Sequence, residues 1–553
     1  MTATATGSAE RWWDSAAVYQ IYPRSFQDSN GDGIGDLQGI IDRLDYVQHL
    51  GVDAIWLSPF FRSPQRDFGY DISDYCDVAP EYGTLDTWDR LVEAAHARGI
   101  RVVIDGVFNH TSDEHPWFVE SRASRTNPKA DWYIWADGRD AGKTPPNNWR
   151  GAMPLMPAWY RCVQRGQWYL ATFHRQQPDL NWHHPDVRAA MFGVVRYWLD
   201  RGADGFRLDM LPFIMKDPEL RSERYRLRLS RSELRVTDGA YTFNTAANYA
   251  LARELRRCCM AQRGGRDEVM LVGECSGTLA EVARYSAAGD GLTHGFLFDF
   301  LMFRFDAGWF RRRIEAYERA FRYPAEPAYV FENHDRSRLL DRVGGDLRKG
   351  RLLATVLCTL RGQPTIYQGQ ELGVTNTYIP LRDARDPMAA VFKWLPEAVN
   401  RRLSERVNRD EVRTPMQWDG TPTAGFCAPG VTPWLPLNPN AAQRNVERAA
   451  QDPGSMLTLY RDLLALRRRS AALRRGDLAF IPDAPADVLA FMRSTRGEVI
   501  AVLCNFSNAA RAVPLQPASL LLSSGPGAEV TAGTVRLPPF GAAVLALAGD
   551  RSI

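Results

Sequence analysis

An α/β fold, a (β/α)8 TIM barrel of eight parallel strands, is what this 553-residue sequence predicts. Eight apolar segments rich in β-branched and aromatic residues alternate with amphipathic stretches along most of the chain. Four of these segments end in polar residues, within VVIDGVFNH, ADGFRLDM, VMLVGEC and AYVFENHD. Towards the C-terminus the pattern changes to short strand-like segments separated by turns, which predicts a further all-β domain.

The predicted strands are continuous apolar runs, as expected for parallel strands that are buried on both faces. TWDRLVEAAHARGI after the second strand and VRAAMFGVVRYWLDRGA before the fourth have the apolar spacing of helices that pack on such a sheet. In chain order, the predicted strands are Val18–Phe26, Val52–Pro59, Arg101–Val107, Ala203–Met210, Val269–Cys275, Thr293–Phe300, Pro327–Asp335 and Pro364–Glu371.

Two long insertions interrupt the regular alternation. The segment 111–182 follows the third strand, is rich in Trp, Pro and Asn, and predicts a small irregular domain. The segment 372–434 follows the eighth strand and predicts a long loop on the same side of the barrel. The predicted organisation is thus a barrel in two parts, 1–110 and 183–468, with an inserted domain at 111–182, a loop insert at 372–434 and a C-terminal β-sandwich at 469–553.

Composition and charge argue against several classes of function. The formal net charge is +3, from 68 basic and 65 acidic residues, so we expect no general attraction to nucleic acid or to a membrane surface. No apolar run approaches 18 residues, and the N-terminal segment lacks the basic and apolar regions of a signal peptide. The eight cysteines form no C-x-x-C pair, which argues against a zinc or redox motif and favours a cytoplasmic protein with reduced thiols.

The polar ends of the predicted strands should lie close together. Active sites of such barrels form at the C-terminal ends of the strands, so carboxylates on several strand ends indicate one cluster. Arg207 lies two residues before Asp209, so both side chains point to the same side of one strand, and the arginine should lower the pKa of that carboxyl. For Asp105 a structural role at the end of the barrel and an indirect catalytic role both stay open.

The ordered set of motifs resembles the α-amylase family of glycoside hydrolases and, within it, the oligo-1,6-glucosidase and α-glucosidase branch. The opening VYQIYPRSFQDSNGDGIGDLQGI, QPDLNW at 177–182 and RTPMQWD at 413–419 extend the resemblance over nearly the whole chain. The resemblance implies a retaining, exo-acting α-glucosidase that passes through a covalent glucosyl-enzyme intermediate. Its substrate would be a small α-glucoside, maltose-, isomaltose- or sucrose-like, and the enzyme would be a monomer or a homodimer.

The resemblance also implies roles for the residues at the strand ends. Cleavage of a glycosidic bond passes through an oxocarbenium-like transition state and needs two carboxyl groups. Asp209 would be the nucleophile, and Glu274 would protonate the leaving oxygen and then deprotonate the incoming water or sugar hydroxyl. Asp335 would contact sugar hydroxyls and stabilise the transition state, with His110 and His334 as hydrogen-bond partners of the same sugar.

A second group of residues is expected to close the site into a pocket. By the resemblance, Asp67 and Tyr70 in the loop after the second strand cover one terminal glucose, and Arg413 pairs with Asp67. The ring of Tyr70 would stack on the apolar face of the sugar. Phe173 and Gln177, at the end of the inserted segment, would be further wall residues. A pocket closed on one side in this way can bind only the terminal glucose of a substrate chain.

The segment DSNGDGIGD predicts a structural metal site. It begins like an EF-hand loop with glycine at the sixth position, but its twelfth position is Gly39, so it is not an EF-hand. Hard oxygen ligands favour Ca²⁺, with Mg²⁺ second, and the resembling branch often carries a structural metal here. The alternative is a loop of Asx turns without a metal. The predicted ligands are Asp28, Asn30, Asp32, Asp36 and the carbonyl group of Ile34.

The balance between hydrolysis and transfer stays open at this point. An α-glucosyltransferase or a sucrose isomerase would use the same covalent intermediate with a sugar as acceptor. Met210 follows the expected nucleophile, where valine, alanine or threonine is usual in the branch, and the segment 220–235 is unusually rich in Arg and Ser. Both departures leave the linkage and the acceptor undecided. A non-enzymatic relative is disfavoured, since all three acids are present and no membrane segment is.

Overall fold

Residues 11–152, 156–229, 234–286 and 289–548 are described by a computed structural model of the chain. Eight parallel strands close into a barrel in which each strand pairs with its neighbours in the chain and the first pairs with the eighth. This confirms the predicted fold. The strands are β1 (Val18–Ile21), β2 (Ala54–Leu57), β3 (Arg101–Gly106), β4 (Gly205–Leu208), β5 (Met270–Cys275), β6 (His294–Leu297), β7 (Glu326–Val330) and β8 (Gln363–Tyr367).

The register of the barrel brings the polar strand ends to one level. Asp105 on β3 lies opposite Arg207 on β4, and Arg207 lies opposite Val272 on β5. The strands are four to six residues long and thus shorter than predicted, because their polar ends turn into loops. Asp209 and His334, which the sequence places inside strands, lie just beyond the ends of β4 and β7. Both side chains therefore belong to the rim of the barrel.

Helices surround the barrel as the amphipathic pattern predicts. Thr84 begins one of them with a reciprocal capping box to Thr87, which satisfies backbone donors at the helix start. Trp88 and Trp198 meet edge to face, with ring centroids 5.0 Å apart, and pack two of the helices together. The helices that follow the strands are Leu37–Asp42 with Leu44–Leu50, Leu85–Ala97, Pro185–Asp200, Ala246–Gln262, Leu279–Ser286, Ala307–Ala320, Leu347–Thr359 and Met456–Arg469.

The longer connections carry structure of their own. Between β3 and β4 lie the helix Pro116–Ala123 and a small antiparallel sheet of Trp135–Ala136, Gln167–Leu170 and Trp159–Cys162. The Arg-rich segment after β4 forms an antiparallel pair of strands, Tyr225–Leu229 and Leu234–Thr237. Further short helices are Arg139–Gly142, Leu339–Arg342, Pro387–Ala390, Glu397–Val407, Val446–Gln451 and Ala471–Arg475.

The C-terminal part is all-β, as predicted. Five antiparallel strands form one sheet, and three form a second. Leu503 and Leu545 on the larger sheet share a buried core with Val513 and Val535 on the smaller one. Within the described part of the chain, no helix is both long and apolar enough to cross a membrane. In sheet order, the strands are Asp477–Phe480, Val488–Thr495, Glu498–Asn505, Ala542–Leu547 and Pro517–Ser523, then Arg511–Pro514, Thr534–Leu537 and Glu529–Thr531.

Candidate active site

One buried guanidinium group, that of Arg207, connects three carboxylates at the C-terminal ends of adjacent strands. Its Nη1 atom lies 2.7 Å from Asp105 Oδ1 and 2.8 Å from Asp209 Oδ1. Its Nη2 atom donates to Glu274 Oε2. The Arg207 side chain is 2% exposed, so these contacts are shielded from solvent. The structure thus brings Asp209 and Glu274 onto the two terminal nitrogens of the same group.

The backbone around Asp209 explains why its carboxylate reaches this cluster. Strand β4 ends at Leu208, and Met210 takes a left-handed backbone conformation with φ of 40°. Such a φ is strained for a residue with a side chain and is held by its surroundings. The backbone N–H of Met210 donates to Glu274 Oε2 at 3.2 Å. The turn therefore fixes both carboxylates relative to each other.

Burial raises the pKa of two carboxyl groups of the cluster, Asp209 and Asp105. Burial raises the pKa of Asp209 well above its ordinary value, Arg207 opposes this, and the charges of Glu274 and Asp105 add to it. Burial likewise raises the pKa of Asp105 to about 6 against the field of Arg207. Arg207 acts in the predicted direction and lowers the pKa of Asp209, but burial outweighs it, so the pKa is raised overall.

Tyr70 and His334 form a hydrogen-bonded pair beside this cluster. The Tyr70 hydroxyl lies 2.7 Å from His334 Nε2 and 3.3 Å from Asp105 Oδ2, and the two rings stack at 5.7 Å. The amide nitrogen of Gln20, which can only donate, lies 2.7 Å from His334 Nδ1. Burial lowers the pKa of His334 to about 3, so its ring is neutral and carries its proton on Nε2. The stacking of Tyr70 on a sugar stays a prediction.

Asp335 is held ionised by two arginines and by the N–H group of the neutral His334 ring. Its Oδ1 atom lies 2.8 Å from Arg413 Nη2 and 3.4 Å from Arg409 Nη1, and Oδ2 lies 3.3 Å from His334 Nε2. Burial by itself would raise the pKa of Asp335, but His334, Arg413 and Arg409 outweigh it and hold the pKa well below its usual range. A fixed negative charge therefore stands beside the carboxylate cluster at any ordinary pH.

The predicted pair of Asp67 and Arg413 is wrong. Asp67 Oδ1 lies 2.7 Å from Arg409 Nη2, and the same nitrogen lies 2.7 Å from Asp386 Oδ1. Arg413 is fully buried and donates to Asp335 and, at 2.9 Å, to the carbonyl oxygen of His334. The helical turn Arg409–Val412 separates the two arginines, so one faces the loop after β2 and the other the end of β7.

The remaining predicted wall residues converge on the loop that carries Asp67. Gln177 Nε2 donates to Asp67 Oδ2 at 3.1 Å and to the carbonyl oxygen of Tyr70 at 3.3 Å. His110 Nε2 lies 3.0 Å from the same carbonyl oxygen, and the ring of Phe173 packs on His110 at 5.3 Å. Burial lowers the pKa of His110 to about 4, so this histidine is neutral. One end of the site is therefore walled by residues from the connections that follow β2 and β3.

The sequence reasoning missed several members of the site. Besides Arg409, these include Asp386, which supports Arg409, and Gln20, which orients His334. A buried Lys216 lies 2.6 Å from Asp179 Oδ2 and 2.6 Å from Asn109 Oδ1. Asn109 and Gln20 adjoin recognised motifs, so their neighbourhood carried a signal. Arg409 and Asp386 lie in a loop without periodic pattern, where only contacts identify them.

The segment DSNGDGIGD forms a compact loop of Asx turns. The side-chain oxygens of Asp28, Asn30 and Asp32 each accept hydrogen bonds from backbone N–H groups two to five residues further on, at 2.7–3.0 Å. Asp36 instead caps the following helix. Among the described residues, no group of three or more His, Cys, Asp or Glu side chains is gathered to hold a metal ion. Carboxylate and amide oxygens are the type of ligand that a hard cation prefers, and the metal site stays a prediction.

Comparison with protein-family models places most of the chain in one family. Residues 20–476 match a model described as the catalytic domain of alpha amylase. Residues 475–544 match a model described as a domain of unknown function. The first match includes all of the barrel except the first two residues of β1, together with the inserted segments and every residue of the carboxylate cluster.

Individual relatives agree with the family match. A probable alpha-glucosidase of Rhizobium meliloti (strain 1021) is 40% identical over 548 residues, with 96% of each chain covered. An oligo-1,6-glucosidase of Parageobacillus thermoglucosidasius is 38% identical, with 90% of each chain covered. The solved structure of the alpha-glucosyl transfer enzyme XgtA is 38% identical, with a TM-score of 0.89, and covers 98% of this chain and 100% of its own.

The ion pairs of Arg409 predict a pH-dependent contribution to stability. Replacement of Arg409 by alanine leaves Asp67 and the fully buried Asp386 without their partner, and should lower the free energy of unfolding by about 3–5 kcal/mol at pH 7. Burial would raise the pKa of Asp386, but Arg409 outweighs it and holds the folded-state pKa below the ordinary value. The contribution is therefore complete above about pH 4, near the unfolded pKa, and is lost as the pH falls.

Urea unfolding at pH 7 and at about pH 2.5, below the unfolded pKa of about 3.9, checks this prediction. The difference between wild type and Arg409→Ala should shrink at the lower pH. Arg382→Ala in the same loop is the control, since the Arg382 side chain is 81% exposed and its removal should cost less than about 0.5 kcal/mol. An Arg409→Ala variant as stable as the wild type at pH 7 would contradict the assignment.

Proposed function

The chain belongs to the α-amylase family of glycoside hydrolases, and on this premise we propose that it is a retaining, exo-acting α-glucosidase. It hydrolyses short α-glucosides at the non-reducing end through a covalent glucosyl-enzyme intermediate. The observation that carries this proposal is the contact of Asp209 and Glu274 with the two terminal nitrogens of Arg207. Two carboxyl groups held close together are what retaining hydrolysis requires.

The proposed first step forms an ester bond to the enzyme. The Asp209 carboxylate attacks the anomeric carbon, the glycosidic C–O bond breaks, and the leaving oxygen takes a proton from the Glu274 carboxyl. In the second step water attacks the anomeric carbon, gives a proton to the Glu274 carboxylate, and the ester bond breaks to restore Asp209. Each step inverts the anomeric centre, so the product retains the α configuration. Arg207 neutralises part of the cluster throughout, since it contacts both carboxyl groups.

Asp335 has the charge that suits its proposed role. Because Arg413, Arg409 and His334 keep its carboxylate ionised, Asp335 presents a fixed negative charge where positive charge develops on the sugar ring. Preorganised charge of this kind stabilises a transition state without reorganisation. Neutral His334 and His110 are suited to hydrogen bonds with sugar hydroxyls, since neither competes for a proton at neutral pH.

The wall formed by Asp67 supports exo action. Arg409 ties Asp67 to Asp386, and Gln177 bonds to the other oxygen of Asp67. These contacts join the loop after β2, the end of the inserted segment and the loop after β8 around one end of the site. A polymer chain cannot pass through an end that is closed by charged side chains, so the enzyme removes single glucose units.

Glucosyl transfer is the second candidate function. The overall likeness to XgtA, whose name states α-glucosyl transfer, favours it, and the covalent intermediate permits it. Hydrolysis and transfer differ only in whether water or a sugar hydroxyl accepts the glucosyl group. Products formed over time from maltose, isomaltose, sucrose and trehalose separate the two: glucose with the free aglycone indicates hydrolysis, and new oligosaccharides or a sucrose isomer indicate transfer.

A structural calcium ion in the loop 28–36 is part of the proposal. Asp28, Asn30, Asp32 and Asp36, with the carbonyl group of Ile34, would hold it, and Mg²⁺ would be the second choice. The ion would supply cross-linking of the loop and no chemistry. We also propose a cytoplasmic location, which the eight free cysteines support.

The nucleophile assignment gives a first test. Asp209→Asn removes the nucleophile with little change in shape, so turnover of maltose and isomaltose should fall at least about a thousandfold while circular dichroism and Tm stay close to wild type. Asp86→Asn, at an exposed aspartate of an outer helix, is the control with normal activity. Proton NMR of the first glucose released by the wild type should show the α anomer. Near-normal activity of a folded Asp209→Asn, or release of the β anomer, would contradict the mechanism.

The closed end of the site gives a second test. The wild type should release glucose from short α-glucosides and leave the viscosity of an amylose solution nearly unchanged, because only internal cleavage lowers it quickly. Arg409→Ala frees Asp67 and should cut kcat/KM for disaccharides at least about tenfold, a factor that corresponds to roughly 1.4 kcal/mol. Arg382→Ala serves again as the matched control. A rapid loss of amylose viscosity with the wild type would overturn exo action.

The proposed metal gives a third test. A chelator should lower the Tm, and added CaCl₂ should restore it, since an ion that binds only the folded state stabilises it by mass action. Anomeric configuration and product pattern should not change. Asp32→Asn should reduce the response to calcium. The metal is excluded if the chelator leaves the Tm unchanged and elemental analysis of the purified protein finds no bound calcium or magnesium.

A further inference from the structure

Arg338 is a buried arginine in the loop that carries Asp335. It follows Asp335 by three residues, and its side chain is 2% exposed. Its Nη1 atom lies 2.6 Å from Glu332 Oε1. The other oxygen of Glu332 accepts from the backbone N–H of Leu339 at 2.7 Å. The ion pair is therefore complete within one loop, and further N–H groups of Arg338 are directed to other parts of the molecule.

The guanidinium group of Arg338 joins that loop to two further elements. Nη1 also donates to the carbonyl oxygen of Gln368, the first residue after β8, at 2.7 Å. Nη2 donates to the carbonyl oxygen of Val412, the last residue of the turn Arg409–Val412, at 2.9 Å. The Tyr367 hydroxyl donates to the same oxygen at 3.1 Å, and the Arg338 guanidinium lies 4.4 Å from the centroid of the Tyr367 ring. The end of the turn is thus bonded to the barrel by two neighbouring donors.

The backbone of this turn is held at its two ends by different parts of the molecule. At its start, the Asp410 carboxylate accepts from the backbone N–H of Asp386 at 3.0 Å, and both residues belong to the loop insert 372–434. At its end, Ser25 Oγ, from the segment after β1, donates to the carbonyl oxygen of Arg413. The start is therefore bonded to the insert, whereas the end is bonded to the barrel.

We propose that Arg338 is a positioning residue that fixes which arginine of this turn meets which carboxylate. Arg409, at the start of the turn, pairs with Asp67. Arg413, directly after the turn, pairs with Asp335. A rotation or slip of the turn would disturb both ion pairs together, because the two arginines leave opposite ends of the same four residues. The inference rests on the proposed function, since it gives Arg338 a part in closing the glucose pocket.

The shape of the side chain explains why an arginine occupies this position. A guanidinium group donates in several fixed directions at once, and here its acceptors are Glu332, Gln368 and Val412. A lysine would keep a positive charge beside Glu332 but present one flexible ammonium group, which does not fix the direction to Val412. An Arg338→Lys variant therefore separates the ion pair from the positioning of the turn, and only the positioning should be lost.

A positioning role and a purely structural role predict different kinetics. If Arg338 only stabilised the fold, its substitution would reduce the share of active enzyme, which lowers the apparent kcat and leaves KM unchanged. If Arg338 positions the turn, the folded variant binds the terminal glucose less well, because Arg409 no longer holds Asp67 in place. KM should then rise in a protein whose circular dichroism is that of the wild type.

Steady-state kinetics of the full-length protein test the proposal, with maltose or isomaltose, whichever the wild type hydrolyses faster. Arg338→Lys should raise KM at least about fivefold, and Tyr367→Phe, which removes only one hydroxyl group, at least about twofold. Tyr367→Phe carries the test if Arg338→Lys does not fold. Tyr197→Phe is the matched control. The Tyr197 hydroxyl also donates to a backbone carbonyl group, that of Cys76 at 2.9 Å, but from an outer helix, so its loss should leave KM unchanged.

A double-mutant cycle shows whether Arg338 acts through Arg409. If it does, Arg338→Lys should add little to the KM of Arg409→Ala, whereas the effects of independent substitutions multiply. Arg338→Lys combined with Arg382→Ala is the control pair, and its KM should equal that of Arg338→Lys alone.

Hydrogen exchange of the turn gives a readout that does not depend on catalysis. The amides of residues 409–413 should exchange faster in Arg338→Lys and Tyr367→Phe than in the wild type and in Tyr197→Phe. The proposal is overturned if either this exchange or KM is unchanged in the folded variants, or if the effects of Arg338→Lys and Arg409→Ala on KM multiply. A failure of the proposed function would instead appear in the wild type, as the release of no α-glucose, and the exchange measurement would still decide the role of Arg338.

Discussion

Three carboxylates that share one buried guanidinium place the strongest constraint on this molecule. Removing Asp105, Asp209 and Glu274 from water is costly, and Arg207 offsets that cost only because the strand register brings all four groups to one level. The barrel must therefore close accurately for the cluster to exist. A group of charges like this adds little to stability. Its presence is better explained by a function in the site, and the surrounding apolar core offsets its energetic cost.

The arginines of the site lie at two levels of the barrel. Arg207 lies within the carboxylate cluster, while Arg413 contacts Asp335 and Arg409 contacts Asp67 at the rim of the barrel. Arg409 and Arg413 both contact Asp335, whereas Asp105 and Asp209 share Arg207. Asp335 stays ionised, while Asp105 and Asp209 have raised pKa values.

The sequence by itself determined the architecture and predicted which carboxylates lie together at the ends of the strands. The periodicity and apolar character of the sequence predicted all eight strands. The polar strand ends drew attention to Asp209, Glu274 and Asp335, because the C-terminal ends of the strands of a parallel barrel all lie on one face. The tertiary structure decided which arginine meets Asp67. Arg409 and Arg413 are four residues apart in a loop without periodicity, so only the path of that loop assigns Arg409 to Asp67 and Arg413 to Asp335. It also decided the direction in which the pKa of Asp209 is shifted, because a pKa depends on burial and on every charge nearby, and residues that are close in space can be far apart in the sequence.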